Sequence, residues 1–215
     1  MSLLTNKEDR KYINVLGSDG TLRMVVPEGT PNSQIRSYET SDGKKGVKHE
    51  LVFSKIEGLI VNLAICPGDY GKQLHITVEN GDEQAILSLG TETSFGESFM
   101  KLLPNINLEE SASFEPYSFE NDKGKTIKGI SIKQNGEKIQ NYYWDADAKK
   151  PLHGFPKPKG DTEAYDTNDW KIFFLEARKF LVGETEKLIA EKFPAKAAEA
   201  ETHPEDEIAP EKIPF

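Results

Sequence analysis

Short runs of alternating apolar and polar residues recur along the first ninety positions of the chain. Alternation of this kind favours β-strands, because successive side chains of a strand point to opposite faces of a sheet. The pattern predicts strands at residues 12–16, 21–26, 35–40, 47–54, 59–65, 74–78 and 85–89. Asp19-Gly20 and Asn80-Gly81 can supply the positive φ angles of tight hairpin turns. We therefore expect an antiparallel meander from Val47 to Leu89.

Two of these runs define side chains that should face the core. The predicted sets are Val47, His49, Leu51 and Phe53 in one strand, and Leu59, Val61, Leu63 and Ile65 in the next. Beyond the meander, Ser94 and Glu97 have the spacing of a capping box that starts a helix. The apolar face of this helix comprises Phe95, Phe99, Leu102 and Leu103, and Pro104 ends it. We expect the short helix to plug the open end of the sheet.

Three more strands and a long helix complete the predicted elements. The strands lie at residues 114–120, 126–134 and 137–144, and the last would place Gln140, Tyr142 and Trp144 on one face. A loop at residues 145–166 separates them from a helix that begins at an Asp166 or Thr167 cap and ends at Pro194. Its apolar stripe comprises Trp170, Phe173, Phe174, Ala177, Leu181 and Leu188. This helix either packs across the sheet or, in its C-terminal half, forms a homodimer contact.

The order of elements defines the expected fold class. Many short antiparallel strands, with a helix between strand groups, are typical of an elaborated OB-fold-like antiparallel barrel. We therefore predict a mainly β protein with α elements and a long C-terminal helix, although the pattern does not separate such a barrel from other β-barrels or sandwiches. Residues 1–193 should form one domain and residues 194–215 a disordered acidic tail, because the tail has too little apolar surface to offset the entropy of ordering.

Composition narrows the class of protein further. No run approaches the 18 apolar residues of a membrane span, and residues 1–10 lack the apolar core of a signal peptide. The single cysteine, Cys66, excludes an internal disulfide and fits a reducing compartment. We expect an intracellular protein without a membrane contact.

The net charge of −9 is unevenly distributed. Residues 194–215 carry six acids and two lysines, a local charge of −4. Residues 121–160 carry nine lysines and four acids, a local charge of +5. Nucleic-acid affinity depends on cations close to phosphates rather than on the total charge. The lysine-rich segment is therefore a candidate nucleic-acid interface, and the acidic tail could compete for it.

Aromatic residues interleave with these lysines, and the combination of cations and stacking rings is typical of single-strand binding. The candidate DNA-binding residues are Lys123, Lys125, Lys128, Lys133, Lys138, Tyr142, Trp144, Lys149, Lys150 and Phe155. Tyr143 is assigned instead to the core. Burial is the competing interpretation for each aromatic residue, and a solvated strand face is the competing interpretation for the lysines.

The chain ends in Ile213-Pro214-Phe215 after an acidic run, so an aliphatic and an aromatic side chain lie beside the terminal carboxylate. This ending resembles the C-terminal tip of bacterial single-stranded DNA-binding proteins, and the overall plan is similar to bacteriophage-type members of that class. The resemblance implies DNA replication, recombination and repair in the cytoplasm of a bacterial host. It also implies that Ile213, Pro214 and Phe215 recruit replication and repair enzymes and that the tail screens the DNA groove.

Catalytic patterns are sparse. Four histidines are scattered along the chain, and neither a phosphate-binding Gly-x-x-x-x-Gly-Lys loop nor a dinucleotide-binding Gly-x-Gly-x-x-Gly motif is present. We expect no enzyme, no cofactor and no metal site. The alternative classes are a β-rich structural or virion protein and, more remotely, a metal-dependent nuclease that uses scattered acids.

Overall fold

A computed structural model describes residues 11–40, 43–68 and 71–194. The tail residues Ile213, Pro214 and Phe215 lie outside the described ranges. The strands are β1 (Lys11–Val15), β2 (Leu22–Val26), β3 (Gln34–Glu39), β4 (Lys45–Phe53), β5 (Ile56–Cys66), β6 (Gln73–Asn80), β7 (Glu83–Gly90), β8 (Ala112–Glu120), β9 (Thr126–Gln134), β10 (Glu137–Lys138), β11 (Trp144–Asp145) and β12 (Lys150–Pro151). The α-helices are α1 (Ser94–Leu102) and α2 (Thr167–Lys192), and 3₁₀ turns lie at Leu103–Asn105 and Thr162–Ala164. The predicted mainly β composition with a long C-terminal helix is confirmed.

Ten strands form one hydrogen-bonded sheet in the order β10-β9-β8-β5-β6-β7-β1-β2-β4-β3, and β11 pairs with β12 in a separate hairpin. The end strands β10 and β3 do not pair within the described ranges, so a closed barrel is not confirmed. All pairs are antiparallel except β1 with β7, which is parallel. The prediction of an antiparallel sheet is therefore wrong at this pair.

The central part of the sheet is a Greek key. Strands β5, β6 and β7 form an antiparallel meander, and β8 returns after α1 to pair with β5. The predicted meander from Val47 to Leu89 is wrong at its first strand, because β4 pairs with β2 and β3 rather than with β5. β9 then pairs with β8 on the outside. Helix α1 packs against β9 and also touches β7. Ser98 attaches the helix to β9, because its hydroxyl donates to the carbonyl of Ile130 at 3.1 Å and accepts from the Ile130 N–H at 3.3 Å.

Helix α1 begins one residue earlier than the capping-box pattern indicates. Its N-cap is Thr93, whose side chain accepts the N–H of Gly96, so the prediction of Ser94 as the cap is wrong. Glu97 instead forms an ion pair with Lys101 at 2.6 Å, one helical turn away. The predicted apolar face is confirmed, because Phe95, Phe99, Leu102 and Leu103 are all buried.

A bulge in β5 changes which of its side chains face the core. The register against β6 shifts between Ile60 and Asn62, so the alternation is interrupted at Val61. As a result Ile60 is 3% exposed while Leu59 is 37% exposed. The prediction of one continuous inward face from Leu59 to Ile65 is therefore wrong on the N-terminal side of the bulge.

Helix α2 has the predicted cap and a shifted apolar stripe. Asp166 accepts the N–H groups of Asn168 and Asp169, and the Asp169 side chain accepts the N–H of Asp166. The buried residues of the helix are Ala177, Leu181, Thr185 and Ile189. Of the predicted stripe, Ala177 and Leu181 are therefore in the core, whereas Phe174 is 49% exposed.

Strands β2, β4 and β3 continue the sheet past β1; Leu22 of β2 is still in the apolar core, and a buried charge cluster lies farther along. Glu50 on β4 is 2% exposed and accepts from Arg23 at 3.1 Å and from Arg36 at 2.8 and 2.5 Å. The hydrogen bonds from Arg36, together with those from Arg23, hold the pKa of Glu50 below its ordinary value. At the far end of this extension Val47 is 61% exposed, so its predicted core position is wrong.

The turn between β1 and β2 packs against the inner side of β8. Gly20 has a φ of +70°, and a Cβ at this position would lie 2.8 Å from the backbone nitrogen of Ser118. The Ser118 hydroxyl donates to the carbonyl of Ser18 at 3.4 Å. The β1–β2 turn therefore packs on the face of the β8–β9 hairpin that carries Ser118, and the opposite face of the hairpin points away from this turn.

A Gly58→Ala substitution should lower the free energy of unfolding by about 1–3 kcal/mol, because the backbone of β6 lies too close to Gly58 to admit a methyl group. A Cβ at Gly58 would lie 2.4 Å from the carbonyl oxygen of Glu79. Denaturant unfolding measures the change. Gly183→Ala in α2 is the matched control, since no atom lies within 4 Å of the added carbon and alanine favours a helix. Equal stability of the two variants would contradict the close approach of the Glu79 carbonyl to Gly58.

Candidate nucleic-acid interface

The structure divides the predicted lysines between the two ends of β9. Lys123 and Lys125 lie in the turn between β8 and β9. Lys138 lies on β10, directly opposite Lys133 near the other end of β9. The eight residue steps from Lys125 to Lys133 span about 26 Å at roughly 3.3 Å per step. The lysine-rich segment is therefore two separate cationic positions rather than one patch.

Two of the predicted lysines are occupied by contacts within the protein. The register places Lys128 and Lys133 on opposite faces of β9. The ammonium of Lys128 donates to the carbonyl of Gly17 on the inner side. That of Lys133 donates to both carboxylate oxygens of Glu115, at 2.8 and 3.0 Å, on the outer side. The charge of Lys133 is therefore paired with a carboxylate, whereas Lys128 donates to a neutral carbonyl and keeps its positive charge.

The outer face of the β8–β9 hairpin carries an aromatic pair that the sequence analysis did not single out. Tyr117 and Phe119 share this face, and their ring centroids lie 5.9 Å apart at 36°. Phe119 is 54% exposed, one of the highest exposures among the large apolar side chains in the described ranges. Tyr117 lies over Gly129, where a Cβ would come within 2.5 Å of its hydroxyl oxygen. Glycine at this position lets the tyrosine lie flat on the sheet.

The turn that follows the aromatic pair holds its lysines outward. The side-chain oxygen of Asn121 accepts the N–H groups of Lys123 at 3.1 Å and Lys125 at 2.9 Å. Gly124 takes a φ of +72°, which the tight turn requires. Both lysine side chains are exposed, and neither forms an ion pair with the part of the chain that the structure describes. Two lysines without an ion pair in the described chain therefore follow the exposed ring of Phe119 and the half-buried ring of Tyr117 along the hairpin.

The segment after β10 departs from the predicted strand. The strand predicted at residues 137–144 is wrong beyond Lys138, because the backbone turns away from β9 and attaches to α1. The N–H of Tyr142 donates to the carbonyl of Lys101 at 2.9 Å, and the Asn105 amide donates to the carbonyl of Gln140 at 3.0 Å. Tyr142 and Trp144 therefore do not alternate along a strand.

Most aromatic residues of this segment are engaged in packing. Tyr142 is half-buried and stacks on His153, with centroids 3.8 Å apart and an interplanar angle of 8°. Tyr143 is 4% exposed, which confirms its assignment to the core, and burial raises its pKa to about 12. Phe155 is half-buried, with the rings of Tyr143 and Phe180 each 5.8 Å away. Tyr142 and Phe155 thus present little free ring surface.

Trp144 is the exposed ring of the segment that follows β10. It is 44% exposed and lies opposite Pro151 in the β11–β12 hairpin. Lys149 and Lys150 in the same hairpin are exposed, but Asp145 and Asp147 lie beside them. The hairpin therefore combines a stacking ring with two acids and two lysines, the same local balance that Glu120, Asp122, Lys123 and Lys125 give the β8–β9 turn.

The described ranges contain no group of three or more His, Cys, Asp or Glu side chains arranged to hold a metal ion. None of the helices in these ranges is long and apolar enough to cross a membrane. Comparison with known proteins identifies no relative: no family model, no curated protein and no solved structure matches the chain. The two ends of β9 are therefore the only described basis for a function.

Removal of each ring should distinguish packing from exposed aromatic residues. Phe155→Ala should lower the free energy of unfolding by about 2–3 kcal/mol, because its ring fills space between Tyr143 and Phe180. Trp144→Ala should change it by less than about 1 kcal/mol, because much of that ring is in solvent. Chemical unfolding of both variants makes the comparison. If Trp144→Ala were the more destabilising of the two, the ring would belong to the core.

Proposed function

We propose that this protein binds single-stranded DNA without sequence preference and that the β8–β9 hairpin is the primary contact. The observation that carries the proposal is the exposed ring of Phe119, with the half-buried ring of Tyr117 beside it and Lys123 and Lys125 in the turn that follows. Aromatic rings stack on bases of any sequence, and lysines neutralise the neighbouring phosphates. The β8–β9 hairpin thus supplies both the rings and the cations that non-specific single-strand binding requires.

Strand order supports the same proposal. The OB-fold is a five-stranded, partly open Greek-key barrel that binds oligonucleotides on one face and through the loops after its first and fourth strands. Strands β5 to β9, with α1 between the third and fourth of them, follow this plan. The turn holding Lys123 and Lys125 takes the place of the loop after the fourth strand. We therefore class this part of the chain as an open, OB-fold-like unit.

The second cationic position extends the proposed path of the strand. Lys138, Trp144, Lys149 and Lys150 lie on the segment beyond the far end of β9, which is about 26 Å from the β8–β9 turn. A strand that joins the two positions covers several nucleotides, within the roughly 4–16 nucleotides that OB-folds occupy. Non-specific binding of this kind suits DNA replication, recombination and repair in a bacteriophage-infected cell.

Affinity for oligo-dT should fall steeply as salt rises. About four phosphates at the free lysines correspond to a log–log slope of about −3, at roughly −0.7 per contact for single strands. Fluorescence titration at several salt concentrations measures the slope. Absence of binding at low salt would contradict the proposal and favour the alternative of a β-rich structural protein.

Phe119→Ala should weaken oligo-dT binding by about 1–3 kcal/mol, roughly 5- to 150-fold, because a stacked base loses its platform. The matched control is Phe174→Ala, which removes a ring of similar exposure, 49% against 54%, from helix α2. The control should bind as the unmodified chain does. Equal effects of the two substitutions would mean that the β8–β9 hairpin is not the contact.

The tail lies outside the described residues, and its role remains part of the proposal. Removal of residues 203–215 deletes four acids and one lysine, a change of +3, so oligo-dT affinity should rise at low salt and the gain should vanish at high salt. Phe215→Ala should leave DNA binding unchanged and abolish recruitment of a replication or repair enzyme, because a ring beside a carboxylate dominates such small contacts. A truncated chain with unaltered affinity would reject the competition by the tail.

A further inference from the structure

Helix α2 has a second apolar face that nothing in the described ranges covers. Its first buried residue is Ala177, so the first ten residues of the helix extend past the core. Within this extension Ile172 is 58% exposed and Leu175 is 51% exposed. At 100° per residue both lie on the side opposite Ala177 and Leu181, which face the body. Exposed aliphatic side chains grouped on one helical face indicate a contact surface.

The exposed face has the spacing of a short coiled-coil seam. Asn168, Ile172, Leu175 and Lys179 follow one another at intervals of four, three and four residues, and all four are exposed. This spacing places Ile172 at an a position and Leu175 at a d position of a heptad, a combination that favours parallel pairs of helices. The polar residues at either end limit the apolar seam to its centre. A second helix with the same spacing would fit it.

Charge selects both the partner and its direction. Lys171 and Arg178 lie on one flank of the seam, and Asp169 and Glu176 lie on the other. In a symmetric antiparallel pair equal flanks meet, so cations would face cations. In a symmetric parallel pair opposite flanks meet, and a residue pairs with the one five positions later in the partner helix. Lys171 and Glu176 have this separation, and neither has an ion-pair partner elsewhere in the described chain.

We propose that two copies of this chain associate through a parallel, two-fold symmetric pairing of the α2 segment from Asn168 to Lys179. Ile172 and Leu175 of each copy form the apolar centre. Lys171 of each copy pairs with Glu176 of the other, so one interface contains two equivalent ion pairs, as a self-complementary contact requires. Because the seam is about three turns long, it buries less than a standard interface, and the dimer should form in the micromolar range.

Sedimentation equilibrium of the full chain over the micromolar range tests the association. The unmodified chain should pass from monomer to dimer, and Ile172→Asp combined with Leu175→Asp should remain a monomer throughout. Phe174→Asp is the control, because that side chain is equally exposed and lies off the seam. A monomer at every concentration of the unmodified chain, or a double variant that dimerises normally, overturns the proposal.

Charge reversal tests the two ion pairs. Lys171→Glu alone and Glu176→Lys alone should each weaken dimerisation roughly fivefold or more, because like charges then meet twice per dimer. The two changes together should restore the original affinity, since each pair is re-formed with its signs exchanged. Glu163→Lys, an exposed change of equal charge before α2, should have no effect. Failure of the double reversal to restore the dimer overturns the proposed pairing.

A cross-link tests the direction of the helices. In the parallel pair residue 175 of one copy lies next to residue 175 of the other. Leu175→Cys should therefore form a disulfide-linked dimer under mild oxidation. Phe174→Cys should not, and the native Cys66 is buried. A dimer in which only Phe174→Cys cross-links, or in which neither does, would overturn the parallel arrangement.

Discussion

The shared use of β5 is the constraint on which the rest of the fold depends. This strand pairs with β6 along most of its length and with β8 at Ile56, Glu57 and Gly58. Gly58 is the last residue of the β8 ladder, one position before the β6 ladder begins at Leu59, and the carbonyl of Glu79 lies where any larger residue would place its Cβ. Because β8 pairs with β5 at only those three positions, the candidate interface on the β8–β9 hairpin is positioned by this short ladder and by α1.

Two different kinds of interaction hold the two halves of the sheet. The Greek key encloses an apolar core, which includes the stacked rings of Phe99 and Phe114. The extension formed by β2, β4 and β3 instead surrounds the buried carboxylate of Glu50 with Arg23 and Arg36. Because the pKa of Glu50 is lowered in the folded state, its contribution is present at neutral pH and is lost as pH falls through that pKa. The extension should therefore be the acid-sensitive part of the sheet.

Periodicity predicted most elements of the fold, since alternation and helical spacing are local properties. It could not locate the bulge at Val61, because that stretch is apolar at nearly every position and either register looks plausible. It also failed at residues 139–143, where hydrogen bonds to Lys101 and Asn105 on a different element override the strand pattern. The parallel pairing of β1 with β7 joins segments too distant for any local signal.

The candidate site was predicted in part for a related reason. Counting lysines along the chain finds Lys123 and Lys125. It cannot distinguish them from Lys128 and Lys133, whose ammonium groups donate to the carbonyl of Gly17 and to the carboxylate of Glu115. Tyr117 and Phe119 lie just before the lysine-rich segment 121–160, so the coincidence of lysines and rings within that segment does not include them. Tyr117 and Phe119 are two positions apart in β8, just before the turn that holds Lys123 and Lys125, and so lie on the same face of the strand. That spacing was the available signal.

The parallel β1–β7 pair also orders events during folding. β1 aligns Lys11 with Ala85 and Asn14 with Ser88, so its ladder forms only after a long loop has closed and β7 is already in place. The meander and the β8–β9 hairpin need shorter closures and can form first. We therefore expect the amides bonded across the β1–β7 ladder to gain protection last, an order that pulse-labelled hydrogen exchange would measure. Until then the outer edge of β7 is an unpaired strand, open to any other chain that can pair with it.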